Sequence, residues 1–174
     1  MVQSVELLLE PTAEEAVLGV WRALLDAGLP SQARHTAPSN RPHVTLVAVP
    51  QIQAEDAVVE AVHDRLPVDA TWGPVTFFGR GPWVLVRLLE PADGMRELQA
   101  AVATAVGVPG DSTSAPNHWR PHVTLARRVG PTARHAVAEL AQAQAHTGMP
   151  VVAPAVRRWD GARRVEWEVG RAQI

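Results

Sequence analysis

Arg41-Pro42-His43-Val44-Thr45-Leu46 recurs residue for residue as Arg120-Pro121-His122-Val123-Thr124-Leu125. Within 174 residues, a six-residue identity has a chance probability on the order of 10⁻⁴ by pair counting at equal residue frequencies. The copies lie 79 residues apart, and other features keep that spacing. Gly28-Leu29-Pro30 is matched by Gly107-Val108-Pro109, the run at Leu7–Leu9 by Val86–Leu88, and Val75–Phe77 by Pro154–Val156. The duplication therefore spans most of the chain.

Working outward from the repeat, each half reads as the same series of elements. Val2–Glu10 and Trp83–Glu90 are apolar, β-branched runs of strand length. A helix follows each. Thr12 with Glu15 predicts a capping box for the first, and Val17, Val20, Trp21, Leu24 and Leu25 form its apolar stripe. Met95, Leu98, Val102 and Val106 do the same in the second half. Both helices are expected to stop at glycine, Gly28 and Gly107, each with a proline two residues on. Loops Leu29–Asn40 and Val108–Trp119 lead into the repeated strands, and helices over Ala54–Leu66 and Thr132–His146 follow. Thr71–Phe78 and Val151–Arg158 close the halves as strands. The turn at Gly79–Pro82 opens the second half, and Asp160-Gly161 turns into a last strand, Arg163–Gly170. The pattern is β-α-β-α-β twice with one extra strand. It predicts an α+β fold with two pseudo-symmetric lobes, antiparallel-rich sheets, outer helices and a central cleft. No linker separates the halves, so 1–174 reads as a single bilobal domain. Its lobes divide near 1–79 and 80–174, with strand exchange between them possible.

Composition narrows the function. Of the residues, 47% are apolar, enough for a sizeable core. Sixteen basic side chains, all arginine, face 18 acidic ones, and a net charge of −2 excludes a polyanion binder held by bulk electrostatics. Cysteine is absent, which excludes disulfides, thiol nucleophiles and thiolate zinc sites. No apolar run reaches membrane-spanning length, and Glu6 stands where a signal peptide carries positive charge. The reading is a cytoplasmic, monomeric protein without membrane contact.

In a strand, side chains two apart share a face. His43 projects with Thr45 and His122 with Thr124, while Val44, Leu46, Val123 and Leu125 face the interior. Pro42 and Pro121 cannot donate to a ladder, so each strand is expected to begin at its histidine. Facing each other across a cleft, the two strips offer two imidazoles and two hydroxyls. One neutral imidazole can take a proton from a nucleophile, and the other, protonated, can give one to a leaving group. Threonine hydroxyls can donate to non-bridging oxygens where charge builds up. Phosphodiester chemistry is the natural candidate.

Two His-x-Thr-hydrophobic motifs, one per half of a chain this size, resemble the two-histidine phosphoesterase superfamily, in particular its 2′,5′-RNA ligase-like branch of RNA 2′,3′-cyclic phosphodiesterases. The resemblance implies a site between the lobes, without metal or cofactor, that opens 2′,3′-cyclic phosphate ends to 2′-phosphates. It implies His43 and His122 as the catalytic pair and Thr45 and Thr124 as phosphate-binding hydroxyls. It adds Arg127, five residues after the second histidine, as a phosphate ligand. The first motif departs from the family by running on into Val47-Ala48-Val49-Pro50 instead of a basic residue and an aromatic.

Other readings stand beside this one. The same site would serve a small nucleotide such as an ADP-ribose cyclic phosphate, or a nucleotide- or RNA-binding module without turnover. Arg41 and Arg120 would cap the strand entrances or pair with acids. Arg157, Arg158, Arg163 and Arg164 flank the last turn and read as a solvated basic edge. Trp21 is expected in the core. Phe77, Phe78, Trp119 and Trp159 either pack or wall the cleft for a base. His35, His63, His118, His135 and His146 show no metal spacing.

Overall fold

The computed structural model describes residues 2–172. The chain forms β1 (Gln3–Leu8), α1 (Pro11–Asp26), a 3₁₀ turn (Gln32–Arg34), β2 (His43–Val49), α2 (Glu55–Val62), β3 (Val68–Phe78), β4 (Trp83–Pro91), α3 (Asp93–Val106), β5 (His122–Val129), α4 (Arg134–Ala143), β6 (Pro150–Ala153), β7 (Ala155–Asp160) and β8 (Val165–Arg171). The fold is α+β, with two four-stranded antiparallel sheets in the orders β2-β1-β7-β8 and β5-β4-β3-β6.

The closing strand of each sequence half pairs with the opening strand of the other half: β3 lies against β4, and β7 against β1. The run Val151–Arg158, expected as one strand, is two. Pro154 cannot donate to a ladder, and the chain changes sheets there, β6 pairing with β3 and β7 with β1. Helices cross over as well. α1 packs on β5 and α4, while α3 packs on β2 and α2.

The helical stripes enter the core as their spacing dictates. Val17, Val20, Trp21 and Leu24 are buried, as are Met95, Leu98 and Val102. Leu25 is exposed, because it lies a further 100° or so round the helix from Leu24. α3 ends at Gly107 in the left-handed conformation, φ 72°, and Gly28 adopts φ 72° just beyond α1. The capping box does not form. α1 starts at Pro11 behind Glu10, with no side-chain cap, and its acids turn outward: Glu15 pairs with Arg22 and Glu14 with Arg41.

Each motif strand lies at the edge of its sheet, and the two edges meet. Both carry a bulge at the same place. Thr45 and Val47 face consecutive residues of β1, leaving Leu46 extra, and Thr124 and Ala126 face consecutive residues of β4, leaving Leu125 extra. A bulge at an edge re-aims side chains and leaves carbonyls without ladder partners. Tryptophans supply those partners across the halves. Trp21 on α1 donates its indole N–H to the Thr124 carbonyl (3.0 Å), and Trp119 donates to the Thr45 carbonyl (2.8 Å). The fully buried Gln99 caps the Leu46 carbonyl at 3.2 Å.

On the opposite face of β4, Arg87 is 3% exposed. Its guanidinium lies 4.1 Å from the Trp72 ring centroid and donates to the His146 carbonyl, while its Nε has no partner. Burial pulls it down to about 10, the mark of a charge held without a carboxylate. Arg87→Met should therefore raise the urea midpoint at unchanged m-value. The expected gain is about 1 kcal/mol or more, because the apolar stem stays and the buried charge goes. A lower midpoint would mean that the stacking on Trp72 outweighs the desolvation.

Candidate active site

His43 opens β2 and His122 opens β5. Each Nδ1 lies 2.7 Å from the carbonyl two residues back, of Arg41 and Arg120 respectively. A carbonyl only accepts, so Nδ1 carries the hydrogen in both rings and Nε2 is left to exchange protons. The geometry follows from the sequence. The proline between arginine and histidine has no N–H, which leaves the imidazole to satisfy the arginine carbonyl. Thr45 and Thr124 follow two residues on, half-buried on the same faces, while Val44, Leu46, Val123 and Leu125 are buried behind.

The surroundings of the two histidines differ. Beside His43 the neighbouring strand β1 contributes Glu6, opposite Thr45. Its Oε1 is 3.6 Å from His43 Nε2 and accepts from Ser4 Oγ at 2.6 Å, while Oε2 accepts from Arg157 Nε at 2.8 Å. Arg157 also pairs with Glu166 and donates to the Ser39 carbonyl (3.1 Å). Burial alone would push the Glu6 carboxyl up. The charges of His43 and Arg157, with hydrogen bonds from Ser4 and Arg157, outweigh it and hold Glu6 below the ordinary carboxylate range.

Beside His122 the setting is aromatic. Phe78 meets the imidazole edge-on, with centroids 4.8 Å apart and planes at 72°, and the Arg120 guanidinium lies 4.9 Å from the Phe78 centroid. Burial lowers the affinity of His122 for its proton. Its hydrogen bond to the Arg120 carbonyl opposes this, while the charges of His43, Arg127 and Arg120 lower it further.

Thr45 from the first motif and His122 from the second border one cavity of 570 Å³, walled by Phe77, Phe78, Trp119 and His118. His43, expected on the same cleft, borders a separate cavity of 730 Å³ with Glu6, Arg157, Asn40, Trp159 and Arg164, and the two linings share no residue. Arg127 stands apart, exposed on a third cavity of 540 Å³ with Arg34 and Arg128. That cavity shares Gln32 and His35 with the one at His43. Arg41 is tied to Glu14, with Nη2 at 2.7 Å.

Arg157 and Arg158 are not a solvated edge. They are 5% and 2% exposed, and Arg158 pairs with Glu55 at 3.0 Å. Alternation along β7 sends them to opposite faces, and each finds a carboxylate there. Glu6 and Arg157 escape sequence reading. The available signal was the Ser4-x-Glu6 alternation in an otherwise apolar strand, which says that a polar face exists but not what lies opposite. Among the described residues, no group of three or more histidines and carboxylates is placed to hold a metal ion.

The match to a family model settles the ancestry: residues 9–163 fit the 2′-5′ RNA ligase superfamily. The chain belongs to that superfamily. Membership places it among the phosphoesterases. Among solved structures it is similar to TT0787 of Thermus thermophilus, with TM-score 0.60, 17% identity, and 99% of this chain and 97% of that one covered. It is similar to E. coli LigT in its apo form, with TM-score 0.58, 15% identity and coverage of 99% and 98%. It also resembles Kluyveromyces marxianus Usb1, with TM-score 0.54, 11% identity and 97% of both chains covered. At these identities the likeness is one of fold. Among curated protein sequences none matches the chain. No helix among the described residues is long and apolar enough to cross a membrane.

Proposed function

We propose that this superfamily member hydrolyses 2′,3′-cyclic phosphate RNA ends to 2′-phosphates, with His43 and His122 as the acid and base. Thr45 and Thr124 would hold the non-bridging oxygens, while Arg127, on a separate cavity, would add only the long-range pull of its charge. The observation that carries this reading is the paired geometry of the imidazoles. Each is locked through Nδ1 to its own backbone, with Nε2 left for proton transfer, and they stand on abutting sheet edges. Two such groups, one on each side of a phosphorus, suffice for in-line displacement without a metal. The aromatic wall of Phe77, Phe78 and Trp119 beside His122 suits a nucleobase. Relatives of the same fold have been solved with nucleotides, LigT with ATP and Usb1 with uridine monophosphate, which supports a nucleotide-bearing substrate here.

A second reading, a small cyclic nucleotide such as an ADP-ribose cyclic phosphate, is favoured by the 570 Å³ size of the aromatic-walled cavity, within the range for one small ligand. Turnover of a cyclic mononucleotide, an ADP-ribose cyclic phosphate and a cyclic-phosphate-ended oligonucleotide separates the two. The RNA-end reading expects kcat/KM to be highest for the oligonucleotide, and preference for the small compounds would replace it. Binding of all three with no turnover of any would leave only a binding module. In EDTA, turnover should persist, and kcat/KM should be bell-shaped in pH, with limbs that belong to the coupled pair. Loss of turnover on chelation, restored by one divalent ion, would reject the two-histidine mechanism.

A further inference from the structure

Past the second motif, β5 carries two arginines side by side. Ala126 and Val129 face Leu85 and Trp83, so Arg127 and Arg128 together stand against Val84. This second bulge holds Arg128 at φ 54°, in the left-handed region that a residue with a side chain rarely adopts. In a regular strand, consecutive side chains point to opposite faces. Here the bulge re-aims them, and both line the 540 Å³ cavity.

The 3₁₀ turn completes that cavity from the first half of the chain. Ser31 anchors the turn, its hydroxyl donating to the Trp21 carbonyl at 2.6 Å and accepting from Ala33 N at 3.0 Å. Arg34 Nη2 donates to the carbonyls of Gly28 (3.3 Å) and Leu29 (3.1 Å), which holds its guanidinium just beyond the end of α1. No carboxylate lines the cavity. Among the described residues, none of the three arginines forms an ion pair with one. In a chain of net charge −2, three uncompensated guanidiniums on one cavity repel one another and favour an anion between them.

Two observations tie this cavity to the catalytic pair. Gln32 and His35 border both it and the cavity at His43. Gln32 is 9% exposed and its amide oxygen has no partner, a buried polar group on the shared wall that a ligand hydroxyl or N–H would satisfy. The charge of Arg127 also acts on His122. An anion bound here lies close to the histidines without occupying the place between them.

We propose that Arg34 and Arg128, beside Arg127, form an accessory site that holds a second phosphate of the same substrate molecule, away from the phosphate that is opened. The proposal rests on the hydrolysis reading above and narrows its substrate class to molecules with at least two phosphates. A cyclic mononucleotide has none to place there. The chemistry is shared by the internal phosphodiester of an RNA end and the pyrophosphate of an ADP-ribose cyclic phosphate.

The test compares kcat/KM for a cyclic mononucleotide, oligonucleotides of two to four nucleotides ending in the same cyclic phosphate, and an ADP-ribose cyclic phosphate. The double variant Arg34→Gln, Arg128→Gly should lower the ratio of extended to mononucleotide kcat/KM about tenfold. Loss confined to the oligonucleotides identifies a phosphodiester, and loss confined to the ADP-ribose compound a pyrophosphate. Arg128→Lys, which keeps the charge, should retain most of the ratio. Log kcat/KM should also fall more steeply with log salt for the extended substrate, by about 0.7 for each added phosphate contact, and the double variant should lose that difference. Glycine suits φ 54°, so Arg128→Gly alone should not lower the urea midpoint, which separates lost binding from lost fold. Unchanged ratios for both extended substrates, or a parent that opens only the mononucleotide, would overturn the proposal. Calorimetry with a 2′-phosphate-ended oligonucleotide needs no turnover, and the double variant should bind it about tenfold more weakly. Should the parent open no cyclic phosphate, the hydrolysis reading falls while this binding still decides the site. Equal binding by parent and variant, or none by the parent, would reject it.

Discussion

Replacing either His43 or His122 by alanine should lower kcat for cyclic phosphate opening by about 10²–10⁴-fold or more, with KM changed much less. The reason is geometric. Each imidazole is fixed by a 2.7 Å bond to a carbonyl two residues back, so its Nε2 is already oriented and alanine leaves nothing to take its place. The double variant should be little worse than the weaker single one, because a displacement that lacks either proton transfer has already lost the concerted route. Thr45→Val and Thr124→Val should cost less than either histidine change, since each removes one hydroxyl donor and leaves proton transfer intact. Steady-state kinetics on a cyclic-phosphate-ended substrate measure all of these. A double variant that still works at the parent rate would remove the two histidines from the mechanism.

The largest effect on stability is expected at Trp21. Its side chain is 3% exposed on α1, and its indole N–H satisfies the Thr124 carbonyl at the bulged edge of β5. Trp21→Ala removes that packing and opens a cavity, costing about 3–5 kcal/mol. In a domain of this size that lowers Tm by about 2–4 °C for each kcal/mol. Trp21→Phe keeps most of the buried area but orphans the carbonyl, at a cost of about 1–3 kcal/mol. It should also lower kcat, because the released strand carries Thr124 and His122. Urea midpoints of the two variants separate packing from hydrogen bonding. If Trp21→Phe matched the parent in both stability and turnover, the indole bond would have no part in holding the site. Trp119 makes the reciprocal bond to the Thr45 carbonyl from a half-buried position, so Trp119→Phe is expected to cost less.

Much of the fold was legible because its determinants are local. Proline before each histidine sets where β2 and β5 begin. Helical periodicity picks out Val17, Val20, Trp21 and Leu24, and Gly28 and Gly107 supply the left-handed residue that ends a helix. Where a competing partner is available, local rules lose. The Thr12–Glu15 box gives way once Pro11 starts the helix and Glu15 meets Arg22.

The sequence by itself determined the duplication, the α+β class and the His-x-Thr pairs, since these rest on identity, on periods of two and about 3.6, and on the missing N–H of proline. Only the tertiary structure decided which strands share a sheet. Pairing joins residues as far apart as Glu6 and Arg157, and no local pattern records the partner. For the same reason only the tertiary structure decided what backs each histidine. An arginine beside the last turn reads as a solvated edge until β7 is laid against β1. There, 151 residues from its partner, Arg157 is stable in the interior because Glu6 and Glu166 supply the charge that water no longer can.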